Sequence, residues 1–338
     1  LLLTSSNFYI QRIEMAIPRR ELVDPETPCF YHCISRCVRR AYLCGDDPFT
    51  GNNCDHRKAW IEKRMLQLAA IFSVELYAYA VMDNHYHLVL HLDPKRPQQW
   101  SDETVAEKWL LAYPGKLDKP GFEKQREMKK QAIMANHEKL KEYRARLGSL
   151  SWFMSRLNEP LAKDSNEEDN VKGRFWESRY TSIALLDETA VLSCMAYVDL
   201  NPIRAGMVKE LQQSLHTSIK KRLGALQVQP ELLKQSIKPM SGNTGGQSVR
   251  IKLDEYVALV EWAGKSIVHP DKAKMPAYVN TLLTNLNLQP DNWLQQFQKV
   301  NQGTACAIGS VAHLKDKAKS LSKKWLKGIG SCRLLYSS

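Results

Sequence analysis

The stretch VELYAYAVM-DN-HYHLVLHL, residues 74–92, constrains the fold more than any other part of the chain. Two apolar runs of strand length flank Asp83-Asn84, and both residues suit a two-residue turn, although the stronger Asn-Gly and Asp-Gly pairs are absent. The pattern predicts an antiparallel hairpin. Side chains alternate faces along a strand, so Tyr86, Leu88, Leu90 and Leu92 share one face and His85, His87, Val89 and His91 the other. The apolar face must lie on helices, which leaves the histidines on the opposite, open face. A buried histidine needs a partner for each ring nitrogen. Neutral imidazoles two residues apart on one face also suit a shared metal ion. Spacing alone leaves both readings in play: partly exposed histidines, or a metal site.

The rest of the chain supplies the partners of this hairpin. CFYHCISRCV (29–38) reads as a strand, and HRKAWIEKRMLQLAAIF (56–72) has apolar residues at helical spacing. A charged insertion, 93–148, contains a lysine-rich helical run and is expected to be an exposed arm. A second amphipathic helix starts near Leu150, disturbed by Pro160, and the acidic loop KDSNEEDN follows. RFWESRYTSIALL (174–186) reads as a strand, and DETAVLSCMAYVDLNP as a helix capped by Asp187 and stopped at Pro202. Strand, helix, strand, strand, helix, strand is the order of a ferredoxin-like split βαβ unit: an α+β fold, an antiparallel sheet with its helices on one face. Beyond Gly206 the pattern becomes mostly helical, interrupted by the glycine-rich segment 238–248. The expected division is an N-terminal extension (1–16), a domain over 17–208 that carries the insertion, and a helical, basic C-terminal region (209–338).

A net charge of +12 over 338 residues favours a polyanionic partner, nucleic acid or an acidic membrane surface. No run of eighteen apolar residues occurs, so no membrane-spanning helix is expected. Five of the eight cysteines fall between positions 29 and 54, which hints at zinc, but no Cys-x-x-Cys occurs and Cys29, Cys33 and Cys37 are spaced by four. Reduced, buried thiols in a cytoplasmic protein are the expectation.

On the helix after Asp187, Val191, Leu192, Met195 and Val198 form the apolar stripe, and Tyr197 lies away from it. Tyr197 and Asn201 are four residues apart, so phenol and amide can point to one place. Taken alone, they read equally as a tyrosine at the stripe's edge and an asparagine ending the helix.

Four segments in fixed order, YHCISRCVRR (31–40), YAVMDNHYHLVLHL (79–92), GRFWESRYTS (173–182) and MAYVDLNPIRAGMV (195–208), resemble the HUH endonuclease superfamily. Within it the chain is similar to the single-tyrosine, REP-associated tyrosine transposases, over residues 17–93 and 149–208. The resemblance implies metal-dependent cleavage and rejoining of single-stranded DNA through a 5′-phosphotyrosine. His85 and His87 match the metal-binding pair, Tyr197 the nucleophile, and Asn201 the place of a third, amide ligand. Mg²⁺ or Mn²⁺ is the implied cofactor, and Mn²⁺ tolerates imidazole better. His91 is a candidate base only by its face. Single-stranded or hairpin DNA is the implied partner, with Arg36, Arg39, Arg40, Arg174, Trp176, Arg179 and Arg204 as candidate contacts and Tyr180 beside them. Relatives include monomers and homodimers. A protein that grips hairpin DNA or RNA on its sheet without catalysis is the alternative. The insertion and the region after 208 stand outside the minimal catalytic domain.

Overall fold

The hairpin forms as its alternation predicts: β2 (Val74–Val81) pairs antiparallel with β3 (His85–Leu92), and the Met82 amide donates to the His85 carbonyl at 2.8 Å across Asp83-Asn84. The structure is a computed structural model and describes residues 23–38, 43–46, 51–113, 115, 119–237, 251–269, 273–286, 288–299 and 306–326. The extension 1–16, the segment 238–248, Arg39, Arg40 and the last part of the lysine-rich tail lie outside the described residues. β1 (Cys29–Arg36) lies between β3 and β4 (Thr181–Leu185), antiparallel to both. A two-residue β5 (Ala307–Ile308) adds parallel to β4, giving the order β2-β3-β1-β4-β5 among the described strands. The sheet is therefore mixed rather than wholly antiparallel. The strand expected over 174–186 shortens to 181–185 because Trp176 and Glu177 leave the ladder to bond around the end of β1: Trp176 bridges Cys37, and the Glu177 amide donates to the Arg36 carbonyl at 2.9 Å.

One face of the sheet is finished with apolar side chains. Tyr86, Leu88, Leu90 and Leu92 join Cys29, Tyr31 and Cys33 in a core with α1 (His56–Ile71) and α5 (Leu150–Glu168). Pro160 sits inside α5 without ending it, and the helix continues through residues 163–168, where a loop is expected from the acidic sequence. The buried Arg57 of α1 explains the extension. Its guanidinium meets Glu168 at 2.6 Å and also pairs with Asp169, so the acidic run is tied down. The insertion is not an exposed arm. Its helices α2 (Asp102–Ala112), α3 (Glu123–Met134) and α4 (His137–Leu147) bury Val105, Leu110, Ile133, Leu140 and Leu147 in this same core. Lys124, Lys129, Lys139 and Lys141 are exposed, while Lys108 donates to the Ala70 carbonyl at 2.6 Å and Lys130 pairs with Glu103 and Glu127 at 3.0 Å.

Helices also cover the other face, which corrects the one-sided arrangement. α6 (Glu188–Asp199) packs Val191, Leu192, Met195 and Val198 in a second core with Phe30, Ala78, Ala80 and Val89. Asp187 starts it, accepting from the Ala190 amide at 2.9 Å. Every residue from Thr189 to Asp199 is buried, the mark of a helix enclosed on all sides rather than one lying at a surface. The turn α7 (Asn201–Arg204) follows, and α8 (Ser218–Val228), α9 (Leu253–Val268), α10 (Ala277–Asn285) and α11 (Pro290–Lys299) join the second core. Trp293 donates its indole N–H to Ser193 Oγ at 2.8 Å. The fully buried Asp199 carboxylate accepts from Ser218 Oγ, from the Ile219 amide at 2.9 Å and from Tyr256 Oη at 2.6 Å, and it pairs with Arg222 at 3.0 Å. A further helix, α12 (Val311–Ser320), follows β5. The region after 208 thus shares its core with the sheet.

Candidate functional site

The second core carries a polar seam where α6 crosses β3 and β1. His85 and His87 project from β3 as alternation requires, with ring centroids 4.8 Å apart. His32 of β1 joins them. Its Nε2 lies 2.9 Å from His87 Nδ1, and the two rings stack with centroids 5.1 Å apart. His85 Nδ1 is 2.6 Å from Asn84 Oδ1. Tyr197 descends from α6 with its ring edge-on to both, 5.8 Å from His87 and 6.0 Å from His32. The Arg204 guanidinium covers the phenol ring at 4.4 Å, and Asn201 begins α7 one turn further along the chain.

Burial sets the charge state of these groups. It lowers the His32 pKa to about 3 and, with help from the Arg36 charge, that of His85 to about 4. Burial pushes His87 well below the ordinary histidine value, with the neighbouring His32 and His85 adding to the effect. All three imidazoles are consequently neutral near pH 7, the state that leaves a nitrogen lone pair to bind. Burial raises the Tyr197 pKa, and the Arg204 charge and hydrogen bond act against it.

Three buried polar atoms here have no hydrogen-bond partner among the described residues: His32 Nδ1, His87 Nε2 and Asn201 Nδ2. Each such group costs about 1–3 kcal/mol when no partner is supplied, so this seam is less stable than an apolar packing of the same space would be. When His87 Nδ1–H donates to His32 Nε2, His87 Nε2 is left bare. The Asn84 carbonyl oxygen fixes His85 in the same tautomer. Metal-binding imidazoles characteristically use one nitrogen for such a partner and the other for the cation. Among the described residues no group of three or more His, Cys, Asp or Glu side chains is disposed to hold a metal ion. The two imidazoles of His85 and His87 share one face of β3, and Asn201 begins α7 one turn after Tyr197. Cys29, Cys33, Cys37, Cys44 and Cys54 are buried thiols and form no such group.

The structure divides the candidate DNA contacts between the two faces. Arg36 pairs in register with His85 and stands exposed on the histidine face, as does the partly exposed Arg204 beside Tyr197. Arg174, Trp176, Arg179 and Tyr180 instead line a groove of about 370 Å³ over α5, on the apolar side of the sheet. Trp176 meets Tyr86 edge-on there at 5.9 Å and donates its indole N–H to the Asn158 carbonyl at 3.0 Å. His91 packs on Phe30 at 4.7 Å. It lies four strand residues, about 13 Å, from His87, too far to act as a base for Tyr197. His32 was not singled out in the sequence. Its signal is parity: His32 shares the 30, 32, 34 face of β1, and that face becomes the histidine face only once β1 pairs with β3. No helix among the described residues is long and apolar enough to cross a membrane.

No protein-family model matches the sequence, and no curated protein matches it. A solved structure described as a REP-associated tyrosine transposase bound to a REP hairpin is 12% identical, over 59% of this chain and 81% of that one, with a TM-score of 0.31. The likeness is distant, so the functional argument rests on the side chains.

Proposed function

We propose that the chain cleaves and rejoins single-stranded DNA at a hairpin or palindromic repeat, with Tyr197 as nucleophile, as the REP-associated transposases it resembles would imply. The strand order β2-β3-β1-β4, with α1 and α5 on one side, fits the split βαβ unit of that reading. The observation that carries the function is the meeting of Tyr197 with His87, 5.8 Å ring to ring, beside a His87 Nε2 that has no partner among the described residues.

Held by His85, His87 and Asn201, a Mg²⁺ or Mn²⁺ ion would polarise the scissile phosphate and offset its negative charge. The protein's own groups do the rest. Arg36 and Arg204 stand where phosphate oxygens would enter. Tyr197 Oη attacks phosphorus, the P–O3′ bond breaks, and the phenolic proton ends on the departing 3′ oxygen. The products are a 5′-phosphotyrosine and a free 3′-OH. The ester is retained rather than hydrolysed, so the 3′-OH of another strand can attack it and release the tyrosine. The tyrosine and the histidines belong to one chain in this arrangement, so monomer and homodimer alike can carry a complete site.

One observation favours a second reading, a hairpin-binding protein without catalysis: Tyr197 is 0% exposed. Under the first reading Arg204, which lies over the phenol, moves from the ring to the incoming phosphate and uncovers it. A labelled hairpin oligonucleotide with a single-stranded flank, incubated with Mn²⁺, separates the two. The strand-transfer reading expects a covalent protein–DNA adduct that is absent in Tyr197→Phe. A hairpin bound without adduct selects the binding protein, and an adduct that persists in Tyr197→Phe removes Tyr197 as nucleophile.

A further inference from the structure

The helical insertion holds a cavity that the catalytic reading leaves unused. It measures about 540 Å³ and is walled by Trp109, Tyr113 and Tyr143, with Arg126, Lys129 and Lys139 at its rim. No carboxylate is among its described lining residues. Trp109 and Tyr143 stack at 4.1 Å with an interplanar angle of 11°, so the buried Trp109 backs the half-buried Tyr143 ring. Arg146 binds this wall to α5, its guanidinium 4.1 Å over Trp152 and 5.4 Å over Trp109. Arg156, one turn further along α5, covers Tyr113 at 4.4 Å. Arg146 and Arg156 also pair with Glu142 and Glu159. Ser155 and Asn158 of α5 line the separate Arg174–Arg179 groove.

We propose that this cavity is a second nucleic-acid site that takes an unpaired base of single-stranded DNA against the Tyr143 ring, backed by Trp109, while Lys129 and Lys139 meet its phosphates. Aromatic rings beside cations are what sequence-tolerant single-strand binding requires: a base stacks on the ring and the backbone follows the charge. The volume suits a base and its sugar, since small-ligand pockets span roughly 300–1,000 Å³. Lys129 and Lys139 are exposed and have no ion pair among the described residues, so both are available to phosphate. The site shares with the strand-transfer reading only its ligand and needs neither Tyr197 nor the histidines.

The test uses the full chain and a labelled oligodeoxythymidylate of about a dozen nucleotides. Lys129→Glu/Lys139→Glu is expected to weaken binding at least about tenfold and to reduce the log–log salt slope by about 1.4, two single-strand phosphate contacts at about 0.7 each. Both positions are exposed, so an unchanged Tm verifies folding. The same oligonucleotide carrying 5-bromodeoxyuridine is expected to photocrosslink within residues 102–113 or 137–147. Unchanged affinity and slope, or crosslinks confined to 174–180, overturn the proposal, as does tighter binding of an oligouridylate of equal length. Failure here with a Tyr197 adduct intact refutes this site alone. Crosslinks in the insertion without any adduct keep this site and refute the strand-transfer reading.

Discussion

The two faces of the sheet are made from alternate residues of the same strands and are completed in opposite ways. Tyr86, Leu88, Leu90 and Leu92 point into an aliphatic and aromatic core where Tyr86 Oη donates to Asn158 Oδ1, and the buried Ser182 Oγ, opposite Cys33, has no partner among the described residues. His85, His87 and His32 point the other way, under a helix that is buried on every side, and leave imidazole and amide nitrogens without partners among the described residues. Burial alone does not distinguish the faces, since His32 and Leu88 are both 0% exposed. The difference is degree: Ser182 Oγ is unpaired on the apolar face, whereas His32 Nδ1, His87 Nε2 and Asn201 Nδ2 are unpaired on the other, around Tyr197.

The largest effects should come where a buried group is a structural tie. Asp199→Ala removes the acceptor shared by Ser218, Ile219, Tyr256 and Arg222. Loss of one member of such a buried charged network costs about 3–5 kcal/mol, and urea denaturation should show that loss. Leu88→Ala on the apolar face should cost about 2–5 kcal/mol through the cavity it leaves, while Mn²⁺ binding stays within twofold of wild type. If Leu88→Ala abolished ion binding at unchanged stability, the division of labour between the faces would be refuted.

Acid should separate the faces next. His32, with a folded pKa of about 3, and His87, which burial and the neighbouring His32 and His85 hold well below the ordinary histidine value, remain neutral when folded. Unfolded, both take a proton near pH 6.5. Below pH 6.5 the unfolded state therefore binds more protons, and stability falls as pH falls. The rate is about 1.4 kcal/mol per pH unit for each such histidine, or about 2 kcal/mol each between pH 6.5 and 5. Ordinary carboxylates titrate below that window. Denaturation at pH 6.5 and 5.0 measures the loss, and a flat profile would show that the imidazoles are not buried neutral groups.

The sequence showed most of this through periodicity. Alternation in HYHLVLHL separates the leucines from the histidines, and the turn residues place the two strands side by side. The resemblance points to Tyr197 and Asn201, and the structure places the Tyr197 ring 5.8 Å from that of His87. Tertiary effects account for what the residues hid. The helix on the histidine face follows from α6 being apolar all round, a property that the apolar stripe at 191, 192, 195 and 198 understates because Ala190, Cys194 and Ala196 are small enough to pack as well. The persistence of α5 past Pro160 depends on Arg57, 111 residues before Glu168, and no local pattern encodes that pairing. His32 needed the β1–β3 register before its parity meant anything.

His32 also offers the finest division between the two faces. Its Nε2 partners His87 while its Nδ1 has no partner among the described residues, so its net contribution to folding is small or unfavourable. A leucine of similar volume would remove a buried polar group that has only one partner and fill the same space. It would also leave His87 Nδ1 without a partner, a cost of similar size. These terms nearly cancel, so His32→Leu should change stability by less than about 1 kcal/mol, against the several lost in Leu88→Ala. Ion binding should respond differently, because the imidazole that fixes the His87 tautomer and ring angle is gone. Loss of such a partner typically weakens metal affinity 10–100-fold. Calorimetric titration with Mn²⁺ at pH 7.5 reads that loss directly, without DNA or turnover. Should His32→Leu bind Mn²⁺ as wild type does, His32 is a packing residue and the polar seam ends at His87. Should it instead lose several kcal/mol of stability, the histidine face is as structural as the other one, and the comparison fails.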